Sequence, residues 1–426
     1  MKAVGIDIGT TSICAVLIDC NSGDVIKSET LASNAFIQTS NTWEKIQDAE
    51  KIIRIAKGLL DNFITTDTVS IGITGQMHGI VYFDESARIV SPLYTWQDAR
   101  ASLPFENTTY AGFLGTYAGY GMATDFYNRK NNLRAKNAVG FCTIHDYFAM
   151  SLCARKTPFI HSSNAASLGL FDVLKNSFTC DYFGDTTSTL DVVGEYKSIP
   201  VSVAIGDNQA SFAGSVSEEN AVLVNVGTGS QISIASDIFV KSQMFETRPY
   251  FENKYLYVGA ALCGGRALSI LERFFSDIVC TATGVDKFNS YPAIDTILRN
   301  KIQTSLQFDN SFSGTRTNPE KRGSIMDISI DNFTPADFTF GILNGIVDEL
   351  FEMFLQMNCT PKALVGSGNA VRKMQRLREI FEKRFSMKLK IPLREEEAAF
   401  GAAIVSMVSA KLKSSLKEAQ ELIKYC

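Results

Sequence analysis

The chain has 426 residues, 45% hydrophobic and 20% charged, with a formal net charge of −4. Its length exceeds one ordinary core and predicts two or three domains, and the faint acidity gives no electrostatic basis for binding nucleic acid or an anionic membrane. No run approaches the ~20 apolar residues a membrane span requires, and "MKAVGIDIGTTS" lacks the layout of a signal peptide, so the expectation is a cytoplasmic protein with small-molecule partners. The nine cysteines are scattered without CxxC or His/Cys metal spacing and are read as free, mostly buried thiols.

In chain order, "AVGIDIG", "ICAVLID" and "VIKSETLA" form three short β-rich runs joined by tight turns, a meander. "WEKIQDAEKIIRIAKGLLDNFI" carries apolar residues at helical spacing, and "TVSIGITG" returns to a buried strand. That succession is α/β grammar. "SVAIGDNQASF" begins as an apolar strand and brings Asp207 to a turn, and "AGSVSEENA" reads as a linker, which divides the chain into domains 1–213 and 214–426. The local pattern then recurs: "IDIGTTSICA" aligns with "VNVGTGSQIS", pairing Asp7 with Asn225 and Gly9 with Gly227. This predicts either a chance match of two hairpins or a duplicated α/β domain whose turns face each other across a cleft. "GGRALSILERFFSDIVC" and "FGILNGIVDELFEMFLQM" read as amphipathic helices, the second nearly apolar enough to be buried, and "GSGN" opens a basic helix after the strand "ALV".

Glycine in these Gly-Thr turns lets consecutive N–H groups converge on an anion, and Thr or Ser hydroxyls add donors, so phosphate is the natural guest. An acid at Asp7, on the strand entering such a turn, suits Mg²⁺ held through waters. The P-loop, dinucleotide-fold and protein-kinase signatures are absent.

With those residues in view, "GIDIGTTS", "VGTGSQIS" and "VGSGN" resemble the first phosphate, second phosphate and adenosine motifs of the actin, hexokinase and heat-shock-chaperone superfamily. "GQMHG" at 75–79, "TWQDAR" at 95–100, "IGDNQAS" at 205–211 and "FGILNGIVDELFEMF" at 340–354 narrow the resemblance to the FGGY carbohydrate kinases, over nearly the whole chain and in the expected order. Within that family, "GYGMAT", "CTIHDYFAMSLC" and "SNAASLGLFD" resemble sedoheptulokinases, while "VGTGSQIS" and "GQMHG" keep xylulokinases as the alternative.

The resemblance implies two actin-like (ribonuclease H-like) α/β ATPase domains flanking an interdomain cleft, ATP and Mg²⁺ as cofactors, and a ketose as the second small-molecule partner. It implies that Asp207 is the catalytic base and, with Asp7, a metal-site residue. Gln76, Met77, His78, Trp96, Asp98 and Asn208 would line the sugar site. Thr10, Thr11, Ser12, Gly227, Thr228, Gly229, Gly264, Gly265, Gly366, Ser367 and Asn369 would hold the nucleotide. The family's adenosine motif often opens with paired glycines, whereas this chain has Gly366-Ser367-Gly368. His145 has no assignable role, and a homodimer is compatible with a sequence that does not fix oligomeric state. A reading from another class is a sugar-sensing or chaperone-like ATPase on the same core. An acid at position 207 separates the two, because a sensor needs no base at a sugar hydroxyl.

Overall fold

The computed structural model describes residues 1–300, 302–315, 318 and 320–426. They form two compact units: residues 1–217 with 248–255 and 396–424, and residues 218–247 with 256–395 and 425–426.

The first unit is built on a seven-stranded mixed sheet. Strands Lys2–Ile8, Ser12–Asp19 and Val25–Ala32 form the expected antiparallel meander. Thr68–Gly75 runs parallel to Lys2–Ile8 on its other side. Ile199–Ser202 and the two-residue strand Ile205–Gly206 then pair in parallel with Thr68–Gly75. Lys2–Ile8 and Thr68–Gly75 read as near-continuous apolar runs because they are buried on both faces; Val4, Ile6, Ile8, Ile71 and Ile73 are all 0% exposed, whereas the edge strand Val25–Ala32 is largely exposed. Helix Ala49–Phe63 supplies Ile52, Ala56, Leu60 and Phe63 to this core. It begins six residues later than the apolar periodicity suggested. Asp48 accepts from the Lys51 amide as its N-cap, a bond worth about 1 kcal/mol, and the preceding Ile46–Gln47 is drawn into strand pairing with Leu93–Tyr94.

The chain does not divide simply into halves. Gly5 and Gly72, cross-strand partners, let the late helix Glu397–Ser409 lie directly on the sheet: a Cβ on either would sit 1.9 Å from a helix carbonyl, that of Ala399 or Ala402. The expected linker is also shorter than its composition suggested. Helix Asp207–Ser215 continues through Ala213, Gly214 and Ser215, which are buried because Gly214 abuts the Glu397 carbonyl.

The second unit repeats the plan. Ala221–Val226 is antiparallel to Ser230–Ser236 and parallel to Ala363–Ser367, which is in turn parallel to Leu389–Lys390. Tyr255–Ala261 and Glu246–Pro249 complete the six strands beyond Ser230–Ser236. Each unit therefore has a hairpin followed, after long intervening chain, by parallel strands added on the other side of the first strand. This is the duplicated actin-like arrangement, at the 218-residue spacing of Asp7 and Asn225. Helix Pro335–Gln356 is largely buried, as its apolar composition predicts, whereas the basic helix after "GSGN" breaks at Met374 into Asn369–Lys373 and Gln375–Phe385. Among the described residues, no helix is long and apolar enough to cross a membrane.

Candidate active site

Three parallel strands of the first unit end side by side. Ile8 pairs with Gly75, and Gly75 with Gly206. The next residues are Gly9-Thr10-Thr11, Gln76-Met77-His78 and Asp207-Asn208, so three motifs far apart in sequence meet at one carboxyl edge of the sheet, the edge where open α/β sheets take ligands.

Asp7 and Asp207 dominate the electrostatics. Burial lifts the Asp7 carboxyl from 3.8 to about 7, with the Asp207 charge adding to the rise. Its Oδ1 is buried and has no hydrogen-bond partner among the described residues. Such an atom is costly in the folded chain alone, and a cation is the chemistry that would satisfy it. The donor set fits Mg²⁺ through these two carboxylates rather than a ligand-rich cage, since no cluster of three or more His, Cys, Asp or Glu suited to a metal exists among the described residues. Burial also raises Asp207, opposed by the Asn208 side chain and then by the Arg248 charge.

Asp207 occupies the first position of its helix, with Gly206 at the cap. Asn208 Nδ2 donates to Asp207 Oδ1 at 3.1 Å, while Arg248 Nη1 donates to Asn208 Oδ1 at 2.7 Å. Because a guanidinium only donates, this pair fixes the amide with its NH₂ toward the carboxylate. Arg248 was not foreseen: a lone arginine in "ETRPYF" gives no motif signal.

Met77 is buried, and its sulfur would lie 2.7 Å from a Cβ placed on Gly206, so it packs directly behind the Asp207 strand end. His78 adopts φ 71°, donates its backbone N–H to Ser167 Oγ at 3.2 Å, pairs Nδ1 with the Ser167 carbonyl at 2.9 Å and stacks on Tyr120 at 4.3 Å. Trp96 is 47% exposed and donates Nε1–H to Thr10 Oγ1 at 3.0 Å, joining "TWQDAR" to the first Gly-Thr turn. Gln76 Nε2 donates to Gln47 Oε1 (3.1 Å), and Gln47 Nε2 to the Thr10 carbonyl (2.6 Å). Gln47 thus braces the same turn, hidden from sequence reading inside an apparent helix.

Asp98 stands apart from the other expected sugar residues. It is 1% exposed; Oδ1 takes Arg100 Nε at 2.6 Å, and Oδ2 takes Arg100 Nη2 at 3.0 Å and the Lys45 amide at 2.9 Å. Its acceptor capacity is used inside the fold. The motif spells this pair out at two-residue spacing, but residue type alone does not separate an internal ion pair from a ligand. His145 is fully buried beneath Gly75, with burial lowering it to about 4.

In the second unit, Gly227-Thr228-Gly229 forms the turn between Ala221–Val226 and Ser230–Ser236, with Thr228 exposed at its tip. Helix Gly265–Thr283 starts against it: the Gly265 amide donates to the Gly227 carbonyl (2.8 Å) and the Arg266 amide to the Thr228 carbonyl (3.0 Å). A Cβ on Gly264 would lie 2.4 Å from the Gly229 carbonyl, so this approach requires glycine. Gly368, at φ +83°, brings the adenosine-motif turn beside Val226. Ser367 is fully buried and its Oγ accepts from Asn225 Nδ2 at 2.9 Å, while Asn369 is exposed. The glycine turns expected to hold nucleotide therefore converge, although Ser367 offers its surroundings backbone rather than hydroxyl. Thr11 and Ser12 lie at and just after the first-unit turn, partly or fully exposed.

A model of the N-terminal domain of the FGGY family of carbohydrate kinases matches residues 2–112. Sedoheptulokinases of Mus musculus and Homo sapiens are 28% and 26% identical to this chain, each match covering 95% of it and 97% of the relative. A xylulose kinase of Staphylococcus epidermidis is 24% identical over 95% of this chain and 87% of its own. Among solved structures, a ligand-bound xylulose kinase from Lactobacillus acidophilus shares the fold with TM-score 0.86 at 15% identity, covering 100% of this chain and 92% of that one. A gluconate kinase from the same organism gives 0.85 at 16%, covering 100% and 92%. Residues 2–112 carry the N-terminal domain of the FGGY family of carbohydrate kinases, and the chain, similar to sedoheptulokinases over 95% of its length, is an ATP-dependent sugar kinase.

Proposed function

We propose that this kinase converts sedoheptulose to sedoheptulose 7-phosphate, with Asp207 as general base. The observation carrying the base assignment is the partly accessible Asp207 carboxylate, raised by burial, at a strand end shared with Met77 and Asn208. Asp207 takes the proton of the acceptor hydroxyl as its oxygen bonds to the γ-phosphorus, and the bond to the β–γ bridging oxygen breaks to leave ADP. Asp7 and Asp207 are the residues that would hold Mg²⁺, which neutralises phosphate charge when bound. Residues 1–213 carry the acceptor-sugar contacts Gln76, Met77, His78, Trp96 and Asn208, while Asp98 is bound to Arg100 inside the fold. Residues 214–426 carry the nucleotide turns around Gly227, Gly264 and Gly366.

The choice of ketose is supported by identity to sedoheptulokinases of 28% and 26% against 24% for the staphylococcal xylulose kinase. A coupled ADP-release assay across C5 to C7 ketoses and polyols tests it. Sedoheptulose is expected to give the highest kcat/KM, xylulose to follow and glycerol to be negligible, since a site bonding a particular hydroxyl rejects an analogue lacking it by up to ~10⁴. A flat profile, or xylulose ahead, would overturn the assignment.

A further inference from the structure

The two-residue strand Ile205–Gly206 carries Asp207, yet so short a strand forms little of a ladder. Its end residue is a glycine pressed on Met77, the residue type with the loosest backbone. Something else must fix where Asp207 starts. Three consecutive backbone groups before it are each held by a buried side chain from elsewhere. The Ala204 carbonyl accepts from Asn164 Nδ2 at 3.0 Å, the Ile205 carbonyl from Thr74 Oγ1 at 2.8 Å, and the Gly206 amide donates to Ser163 Oγ at 3.2 Å.

These holders are themselves held. Asn164 Nδ2 also donates to Asp146 Oδ1 at 2.8 Å, which commits both amide hydrogens, and Asp146 Oδ2 accepts from Thr143 Oγ1 at 2.6 Å. His161 Nδ1 accepts the Ser163 amide at 3.1 Å and therefore presents a lone pair; Ser163 Oγ–H donates to the same nitrogen at 2.9 Å and keeps its own lone pairs for Gly206. Thr74, Asn164 and His161 are 0% exposed. The "TIHDY" and "HSSNAAS" segments thus converge beneath the strand end.

We propose that Thr74, Ser163 and Asn164 are positioning residues that set the place of the Asp207 carboxylate by clamping residues 204–206, with Asp146 fixing Asn164 from behind. The inference rests on the reading of Asp207 as the base. A displacement near 1 Å of a reacting group can cost about 10²-fold in rate, so the clamp acts on kcat rather than on sugar affinity.

The test is a double-mutant cycle on the full chain, reading kcat at saturating sedoheptulose and ATP, sugar Kd by calorimetry and a thermal melt. Asn164→Ala is expected to lower kcat about tenfold or more with sugar Kd within about twofold, and to change residual kcat by less than about twofold in an Asp207→Asn background. Equal loss of kcat in both backgrounds, or kcat unchanged in the folded single variant, would overturn the clamp. If Asn164→Ala does not fold, Ser163→Ala, lacking only one hydroxyl, decides by the same two criteria. Full turnover by Asp207→Asn alone would instead overturn the base assignment, a result independent of what the clamp variants do.

Discussion

Replacing Asp7 by Asn isolates the cost of keeping a carboxylate whose Oδ1 no group among the described residues answers. Burial and the Asp207 charge lift its titration from 3.8 to about 7, a preference for the neutral form of about 4 kcal/mol. Between those two pH values the folded chain holds a proton that the unfolded chain has released. The neutral form's advantage is therefore intact below about pH 4, stability falls as pH rises toward 7, and the full cost applies above it. Asparagine carries no charge at any of these pH values. In EDTA at pH 8, Asp7→Asn should melt higher than the wild type, and at pH 4 the two should coincide. For a unit of this size 1 kcal/mol corresponds to about 2–4 °C, so the gain is several degrees and at most roughly 15 °C. Asp146 and Glu349 also titrate near 7 through burial, so only part of the wild-type pH slope should vanish.

Saturating Mg·ATP should reverse the order, stabilising the wild type at pH 8 and the variant far less, with variant turnover falling severely. Differential scanning calorimetry from pH 4 to 8, with EDTA and then with Mg·ATP, reads both effects. An unchanged or lower melting temperature for metal-free Asp7→Asn at pH 8, or an equal response to Mg·ATP, would refute the reasoning.

Asp207→Asn should keep sugar affinity by calorimetry but lose at least about 10² in kcat, the lower end for a positioned general base. Arg248→Met removes the charge that favours ionised Asp207, leaving Asp7 as the opposing acid, and also removes the partner of Asn208; the acid limb of the kcat/KM profile should move to higher pH and sugar KM should rise. Gly72→Ala would set a Cβ 1.9 Å from the Ala402 carbonyl and should cost at least about 1–3 kcal/mol in urea unfolding, because backbone cannot yield as a side-chain tip can. Gly58→Ala is the control: it lies in helix Ala49–Phe63 with nothing within 4 Å of the added carbon, and it should stabilise by up to about 1 kcal/mol.

The central strands Lys2–Ile8, Thr68–Gly75 and Ala221–Val226 were legible because burial leaves near-continuous apolar runs ending at glycine turns. The late helix Glu397–Ser409 was not read from the sequence, either as a helix or as part of the first unit. "AAFGAAIVSMVSA" is small and apolar all round, and Gly5, Gly72 and Gly214, ordinary in their own elements, show where it docks. At the candidate site, Asp7, Asp207 and "GQMHG" announced themselves through motif context. Gln47 and Arg248 did not, because their work is done by hydrogen bonds to residues 29 to 40 positions away, which leaves no local pattern. Asp98 shows the converse: its residue type suggested a ligand, and its neighbour two positions on consumes it.

The repeated plan also bears on the unequal division of chemistry proposed for the two units. The scaffold repeats, down to a cross-strand partner with a hydroxyl: Asp7 faces Thr74 and Asn225 faces Ser367. The side chain at the repeated position differs by one group, carboxylate against amide. Asn225 satisfies itself within its sheet by donating to Ser367, leaving the Gly227 turn with neutral N–H donors and no nearby charge of its own at that position. A phosphate needs that neutrality, since a fixed carboxylate there would repel it. Asp7 instead leaves an oxygen unpaired beside Asp207, which suits a cation and raises the basicity of the pair. On the proposed roles, a single exchange of NH₂ for O⁻ at the repeated position would separate a turn suited to anions from one suited to a cation.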